Sequence, residues 1–364
     1  MPYLPVRPDL DQLRHQARDL LHPAQRGDPD AVARISAVSG RVILSSAQLA
    51  LAREYGFASW ARLKLEVERR DILNSRDLSR LAALLADHPD MAAVNIEHWC
   101  DHKSAGTLGY MAMLRFDHGR LGLPGNLPGT GAIARALIEA GAPVDGYPGD
   151  QETPLITAAS YGDAEVARVL IEAGADIEAV SAPDAGGVPS GTALQHAAVF
   201  GMTEVVDVLV TAGARIHGLE MAAAAGDITG WPLARFTLES RIRALVFAAD
   251  HQRLEVIDQL VAAGTPVNQA DAEWGRLAPA RRGGQRPPGQ RPAAARPRRR
   301  PRSARPRTPS HAAGGMPARE REPGQPWTPG NLGHPQAPHQ GTGPRHAGIR
   351  FVIPAVALSA ASCR

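Results

Sequence analysis

Two segments of the chain can be laid over one another residue for residue, and this recurrence constrains the fold more than any other feature. They read TPLITAASYGDAEVARVLIEAGADI from Thr153 to Ile177 and TALQHAAVFGMTEVVDVLVTAGARI from Thr192 to Ile216. A third, RALVFAADHQRLEVIDQLVAAGTPV from Arg243 to Val267, keeps the apolar spacing, and a fourth, GAIARALIEAGAPVD, spans Gly131 to Asp145. Self-similarity of this kind is the mark of a stacked architecture, in which each unit covers a face that its neighbour cannot cover alone.

Within a unit the pattern is helix, turn, helix, loop. Leu155, Ala158 and Ala159 give a first helix with a small apolar face, and Gly162 ends it, because a left-handed cap is cheap for glycine. Val166, Leu170 and Ile171 then form the stripe of a second, amphipathic helix closed by Gly174. The equivalent stripes are Ile133, Leu137, Ile138; Val205, Leu209, Val210; and Val256, Leu260, Val261.

These phrases resemble the ankyrin repeat, a unit of about 33 residues with a TPLHxAA segment, a glycine and a second helix ending in GAD. Gly141 to Gly174 is 33 residues and Gly174 to Gly213 is 39, which leaves a six-residue insertion in the loop Ser181–Gly191. The 51 residues from Gly213 to Gly264 hold an irregular unit containing Leu219–Gly226 and Trp231–Glu239. The resemblance covers about Ala105–Asp271. Ile156 and Gln195 stand where the family has histidine, and Ala193 where it has proline.

The first hundred residues predict further helices. Leu10, Leu13, Ala17, Leu20 and Leu21 form one stripe, and Leu44–Val67 reads as two helices broken at Gly56, with Phe57 and Trp60 as packing anchors. Asp77–Ala93 reads as one more degenerate helix pair. The expected fold is all-α: an ankyrin-repeat solenoid at 101–275, a helical N-terminal cap at 1–100, and a disordered Arg/Pro-rich tail at 276–364.

Charge divides the chain at the same place. Residues 1–275 carry 23 Lys and Arg against 35 Asp and Glu; residues 276–364 carry 17 Arg, no Lys, and only Glu320 and Glu322 as acids. An acidic body near −12 thus meets a basic tail near +15. RPRRRPRSARPR at Arg296–Arg307 could bind phosphates by counterion release. Its composition cannot support a core, and Trp327 alone offers a ring to stack on bases, which weighs against nucleic acid as the partner.

Other chemistry is sparse. Cys100 and Cys363 build no disulfide framework, and His98, Cys100 and His102 lack a second ligand pair at zinc-module spacing. There is no phosphate-cradling, dinucleotide, HExxH, GxSxG or calcium motif, so neither metal nor small-molecule cofactor is expected. Gly119–Gly131 leads into a helix and formally resembles an anion site, with an inserted loop as the competing reading. The start lacks a secretory signal and no run suffices for a membrane span, so the expected compartment is the cytoplasm.

The resemblance implies a noncatalytic interaction scaffold that binds a partner protein on its concave side, made of loop tips and exposed first-helix faces. By the motif, that side holds Glu152, Ser160 and Tyr161 in one unit, Val199 and Phe200 in the next, and Asp250 and His251 in the third. The alternatives are an Arg-tail nucleic-acid binder, or an enzyme or regulator with an unrecognised site.

The tail carries one more signal. Reading the second and third bases of each codon with the first base of the next, permissible codons turn 279–286 into LHAAAANG, 292–301 into LLLLARGADP and 311–314 into TPLE. The recovered glycines fall at 286 and 298, spaced as Gly162 and Gly174 are, and the second lies 34 residues after Gly264. The tail is thus expected to be a shifted-frame reading of a solenoid that continues, with the break near Leu277.

Overall fold

A computed structural model describes residues 4–100 and 103–270, with only the backbone described at 97–100, 103 and 104. It places a helix on each periodic segment, and the residues that flank the helices explain where they start. In the N-terminal region α1 (Leu10–Gln25), α2 (Pro29–Ser36), α3 (Leu44–Glu54), α4 (Trp60–Ser75) and α5 (Leu78–Asp87) follow one another. Asp9, Asp28, Ser59 and Asp77 cap α1, α2, α4 and α5 by accepting a backbone N–H of the first turn, as short oxygen-bearing side chains do.

α1 packs against α2 and α3 through two small apolar clusters, one around Leu13, Leu51 and Leu63, the other around Leu20, Ile35 and Ala47. Phe57 and Trp60 lie partly buried against the first. α4 belongs to two cores at once: Leu63 and Val67 face the N-terminal helices, whereas Leu65, Ile72 and Leu73 enter a core that runs on to Leu260. The boundary expected at residue 100 therefore falls inside one continuous core.

Arg69 and Arg70 of α4 are buried with Glu66 between them. Arg69 donates to Glu66 and to the carbonyls of Met91 (3.1 Å), Val94 (2.6 Å) and Asn95 (3.0 Å). A buried guanidinium is tolerable when its terminal nitrogens are satisfied in this way, although Nε of Arg69 makes no hydrogen bond. Its work here is to hold the turn after α5. That turn is a short 3-10 segment at Pro89–Ala92, so the helix pair expected over 77–93 is one helix and a turn.

A two-stranded antiparallel hairpin follows, β1 (Ile96–Cys100) and β2 (Lys103–Ala105), pairing Ile96 with Ala105 and Cys100 with Lys103. It is the one departure from helix and loop among the described residues, and nothing in the repeat pattern announced it. Then come α6 (Thr107–Asp117), α7 (Thr130–Glu139), α8 (Pro154–Tyr161), α9 (Ala164–Glu172), α10 (Ala193–Val199), α11 (Thr203–Thr211), α12 (Leu219–Ala225), α13 (Leu238–Asp250) and α14 (Leu254–Ala262).

These helices pair and stack as the periodicity requires. α8 packs on α9, α10 on α11 and α13 on α14; the first helices α6, α8 and α10 lie side by side, as do the second helices α7, α9 and α11. Ala158, Ala159, Ala197 and Ala198 are fully buried between first helices, where a larger side chain would hold the neighbours apart. The irregular unit supplies α12, which packs on α10, α11 and α13, but its second helix is replaced by a loop with a 3-10 turn at Leu233–Arg235. No helix among the described residues is long and apolar enough to cross a membrane.

Thr153 caps α8 with Pro154 at its first position, and Thr192 forms a reciprocal capping box with Gln195 at α10. After α8 and α10 the chain turns through Gly162 (φ +79°) and Gly201 (φ +72°); in the last pair the same place is taken by Gln252, at φ +58°. A side chain in that region costs roughly 1–2 kcal/mol, so Gln252→Gly is expected to stabilise the protein by up to about 1 kcal/mol after the entropy of the unfolded glycine is subtracted. Leu170 and Leu209 are wholly buried, and either Leu→Ala change should cost about 2–5 kcal/mol. Urea titration checks both; a loss under about 1 kcal/mol at Leu170 would mean the stripe is not a packed interface.

Candidate functional site

The first helices present their C-terminal ends along one edge, and three of those ends carry an aromatic ring. Phe116 is the penultimate residue of α6, Tyr161 the last of α8, and Phe200 the cap residue of α10. Phe116 is 56% exposed and packs on the half-buried Tyr161, with ring centroids 4.8 Å apart and the planes tilted by 38°. Phe200 is 37% exposed and lies 6.2 Å from the His196 ring. Rings held this way by neighbours lose little freedom when a partner covers them.

Of the residues expected on this side, Phe200 is exposed, and Tyr161, Glu152, Val199 and Asp250 are half-buried. Ser160 and His251 do not belong to it. Ser160 sits on the flank of α8 that faces α10, where its hydroxyl meets His196 Nδ1 at 2.8 Å. His251 is 1% exposed: its ring turns back into the stack, with Nε2 donating to the Ala198 carbonyl at 2.9 Å and Nδ1 3.1 Å from Thr203 Oγ1. Tyr161 and Phe200 hold the equivalent sequence position but have no ring N–H to give a carbonyl, and they stay outside.

Phe116 was missed by the sequence reading, although a signal existed. The unit at Gly131–Asp145 lacked a first helix, and the helix that had to precede it ends in RFD.

Behind the rings lies a closed polar network. The inserted loop returns to α10 by a bridge between Val180 and Thr192, and the Val188 carbonyl accepts from Ser181 Oγ (2.7 Å) and His196 Nε2 (2.9 Å). A carbonyl only accepts, so Nε2 carries the proton, Nδ1 is bare, and Ser160 donates to it. Burial pushes the His196 pKa down from 6.5 to about 4, with the Val188 carbonyl pulling the other way.

The anion site suggested by Gly119–Gly131 is filled from within. Glu165, near the start of α9, places Oε2 at the N-terminus of α7, 2.9 Å from Gly129 N and 3.2 Å from Gly131 N. A carboxylate is the complement that such a helix end selects. Gly131 makes the approach possible, because a Cβ there would stand 3.0 Å from the Glu165 backbone and side chain. Beside it the buried Asp163 caps α9 through Val166 N (3.1 Å) and accepts from Thr130 Oγ1 (3.0 Å), with Arg115 Nε 3.6 Å away. Burial raises the Asp163 pKa, against the opposing hydrogen bonds and Arg115.

Among the described residues no group of three His, Cys, Asp or Glu is placed to hold a metal ion. The side chains of His98 and Cys100, residue His102, the Arg-rich stretch and the rest of the tail lie outside the described residues.

The His196 network has a testable pH dependence. The unfolded imidazole titrates near 6.5 and the folded one near 4, so between those values the unfolded state binds the extra proton. The contribution is whole above pH 6.5 and is lost as pH falls toward 4, on the order of 3 kcal/mol in all. His196→Gln is expected to be less stable at pH 7.5 and to lose much less of its urea midpoint on acidification; a variant with the parent's pH slope would show that His196 is not the group.

Residues 129–219 match the family model described as ankyrin repeats (3 copies). No curated protein matches the chain. Among solved structures, the human ASB11 ankyrin repeat domain is similar at 22% identity, with a TM-score of 0.36, covering 59% of this chain and 89% of its own. With helix pairs that stack in register and threonine-capped first helices, the segment that matches, residues 129–219, is a run of ankyrin repeats.

Proposed function

We propose that the chain is a noncatalytic scaffold that holds a partner protein against the edge formed by the first helices and loop tips, with Phe116, Tyr161 and Phe200 as its anchors. Ankyrin repeats are protein-interaction modules, and the observation that carries the reading further is the exposed Phe116 ring packed on the half-buried Tyr161, with the exposed Phe200 on the next first helix. Large aromatic rings supply much of the affinity of protein interfaces. Glu152, Val199 and Asp250 would form the rim. The acidic balance of residues 1–275 favours a partner with a basic surface, which speeds encounter and sets orientation more than it adds affinity.

A photo-crosslinking phenylalanine analogue at Phe116 or Phe200, used in the native cell, is expected to trap one protein that the same analogue at Arg135 on α7 does not. Phe116→Ala with Phe200→Ala should then weaken binding of that protein roughly tenfold or more, as loss of anchors does, with the urea midpoint unchanged. Crosslinks confined to the second helices, or a double variant that binds as tightly as the parent, would overturn the reading.

A further inference from the structure

The last helix pair differs from the others in what it leaves uncovered. Ile138, Ile171 and Val210 close the stripes of α7, α9 and α11 and are half-buried; their equivalent on α14, Val261, is 42% exposed. Val144, Ile177 and Ile216, in the loops that follow, are half-buried; their equivalent, Val267, is 45% exposed. At the start of the second helix Gly131 and Ala164 are buried and Thr203 half-buried, whereas Leu254 is 54% exposed. In the inner units the stripe and loop residues pack against the common core. On α14 the sequence has kept apolar residues at all three, and among the described residues no further unit covers them.

We propose that the gene encodes a further ankyrin repeat for this face, in the frame one base on from the one that gives the tail. The frame reading extends beyond the fragments given above. From Leu277 to Pro301, every shifted codon permits the residue needed for SPLHAAAANGHLDSVLLLLARGADP, one continuous repeat. Its SPL start lies 21 residues before the recovered glycine at 298, as Thr192 lies 21 before Gly213. It supplies the leucine stripe, the glycine after the first helix and the closing GAD. The excess of Arg, Pro and Ala from 276 onward is what GC-rich codons of such a repeat yield when read out of phase, and it accounts for the absence of Lys there.

The reading commits to codons. Pro279 must be CCT and Ala280 GCA to give Leu and His; Ala293 and Ala294 must be GCT to give Leu; Arg286 must be CGG, and Arg298 CGG or AGG, to give Gly. The first measurement is the nucleotide sequence, expected to show these codons; leucine or glycine codons absent from the shifted frame at 279, 286, 293 or 298 would overturn the proposal. The second is a full-length chain with one base deleted just before codon 277. It is expected to unfold at a higher urea midpoint than the present chain and to bind less of a hydrophobic dye. Val261→Lys separates docking from a general change: it should leave the midpoint of the present chain unmoved and lower that of the frame-restored chain. An equal effect in both would mean that the recovered repeat does not cover α14.

Discussion

The structure depends on burial that no unit achieves by itself. An ankyrin-type helix pair covers one side of its aliphatic stripe and leaves the other for its neighbour, so Leu137, Leu170 and Leu209 are sealed only because α7, α9 and α11 stand in a row. Stability is then a sum of terms within units and terms between adjacent units. Much else follows from that arithmetic. Small residues line the first helices because spacing there sets the contact, and the polar links between units are concentrated where helices end and backbone groups need partners.

Those links are directional. Glu165 of one unit plugs the helix start of the unit before it, Ser160 reaches forward to His196, and His251 reaches back to the end of α10. Aliphatic faces slide over one another at little cost; a carboxylate on two backbone N–H groups does not. Packing supplies the cohesion of the stack, and these bonds supply its register. The aromatic edge inherits its alignment from them, since Phe116, Tyr161 and Phe200 fall in line only if α6, α8 and α10 neither rise nor sink relative to one another.

The repeat units and the glycines that end their helices were legible in the sequence, because each is determined within about 25 residues by apolar spacing and a glycine. Burial of particular polar residues was not. Ser160 and His251 look like surface residues on their own helices, and only the neighbour that accepts or donates the bond takes them inside. Phe116 was hidden for the opposite reason: its helix lacks the repeat's signature, and its role shows only when α6 is seen beside α8. The hairpin at 96–105 has no counterpart in the repeat, and the carbonyls that Arg69 gathers are backbone groups, which carry no sequence signal at all.

The missing second helix after α12 sets the mechanics of the stack. Between α11 and α14 the outer row is interrupted, and the load that three aligned second helices share elsewhere passes through the packing of α12 on α13 and through Arg253, whose Nε holds the Ala224 carbonyl at 2.8 Å and whose other end meets Asp207. α13 and α14 are therefore tied to the units ahead through the row of first helices and through Arg253, with no second helix standing alongside α14.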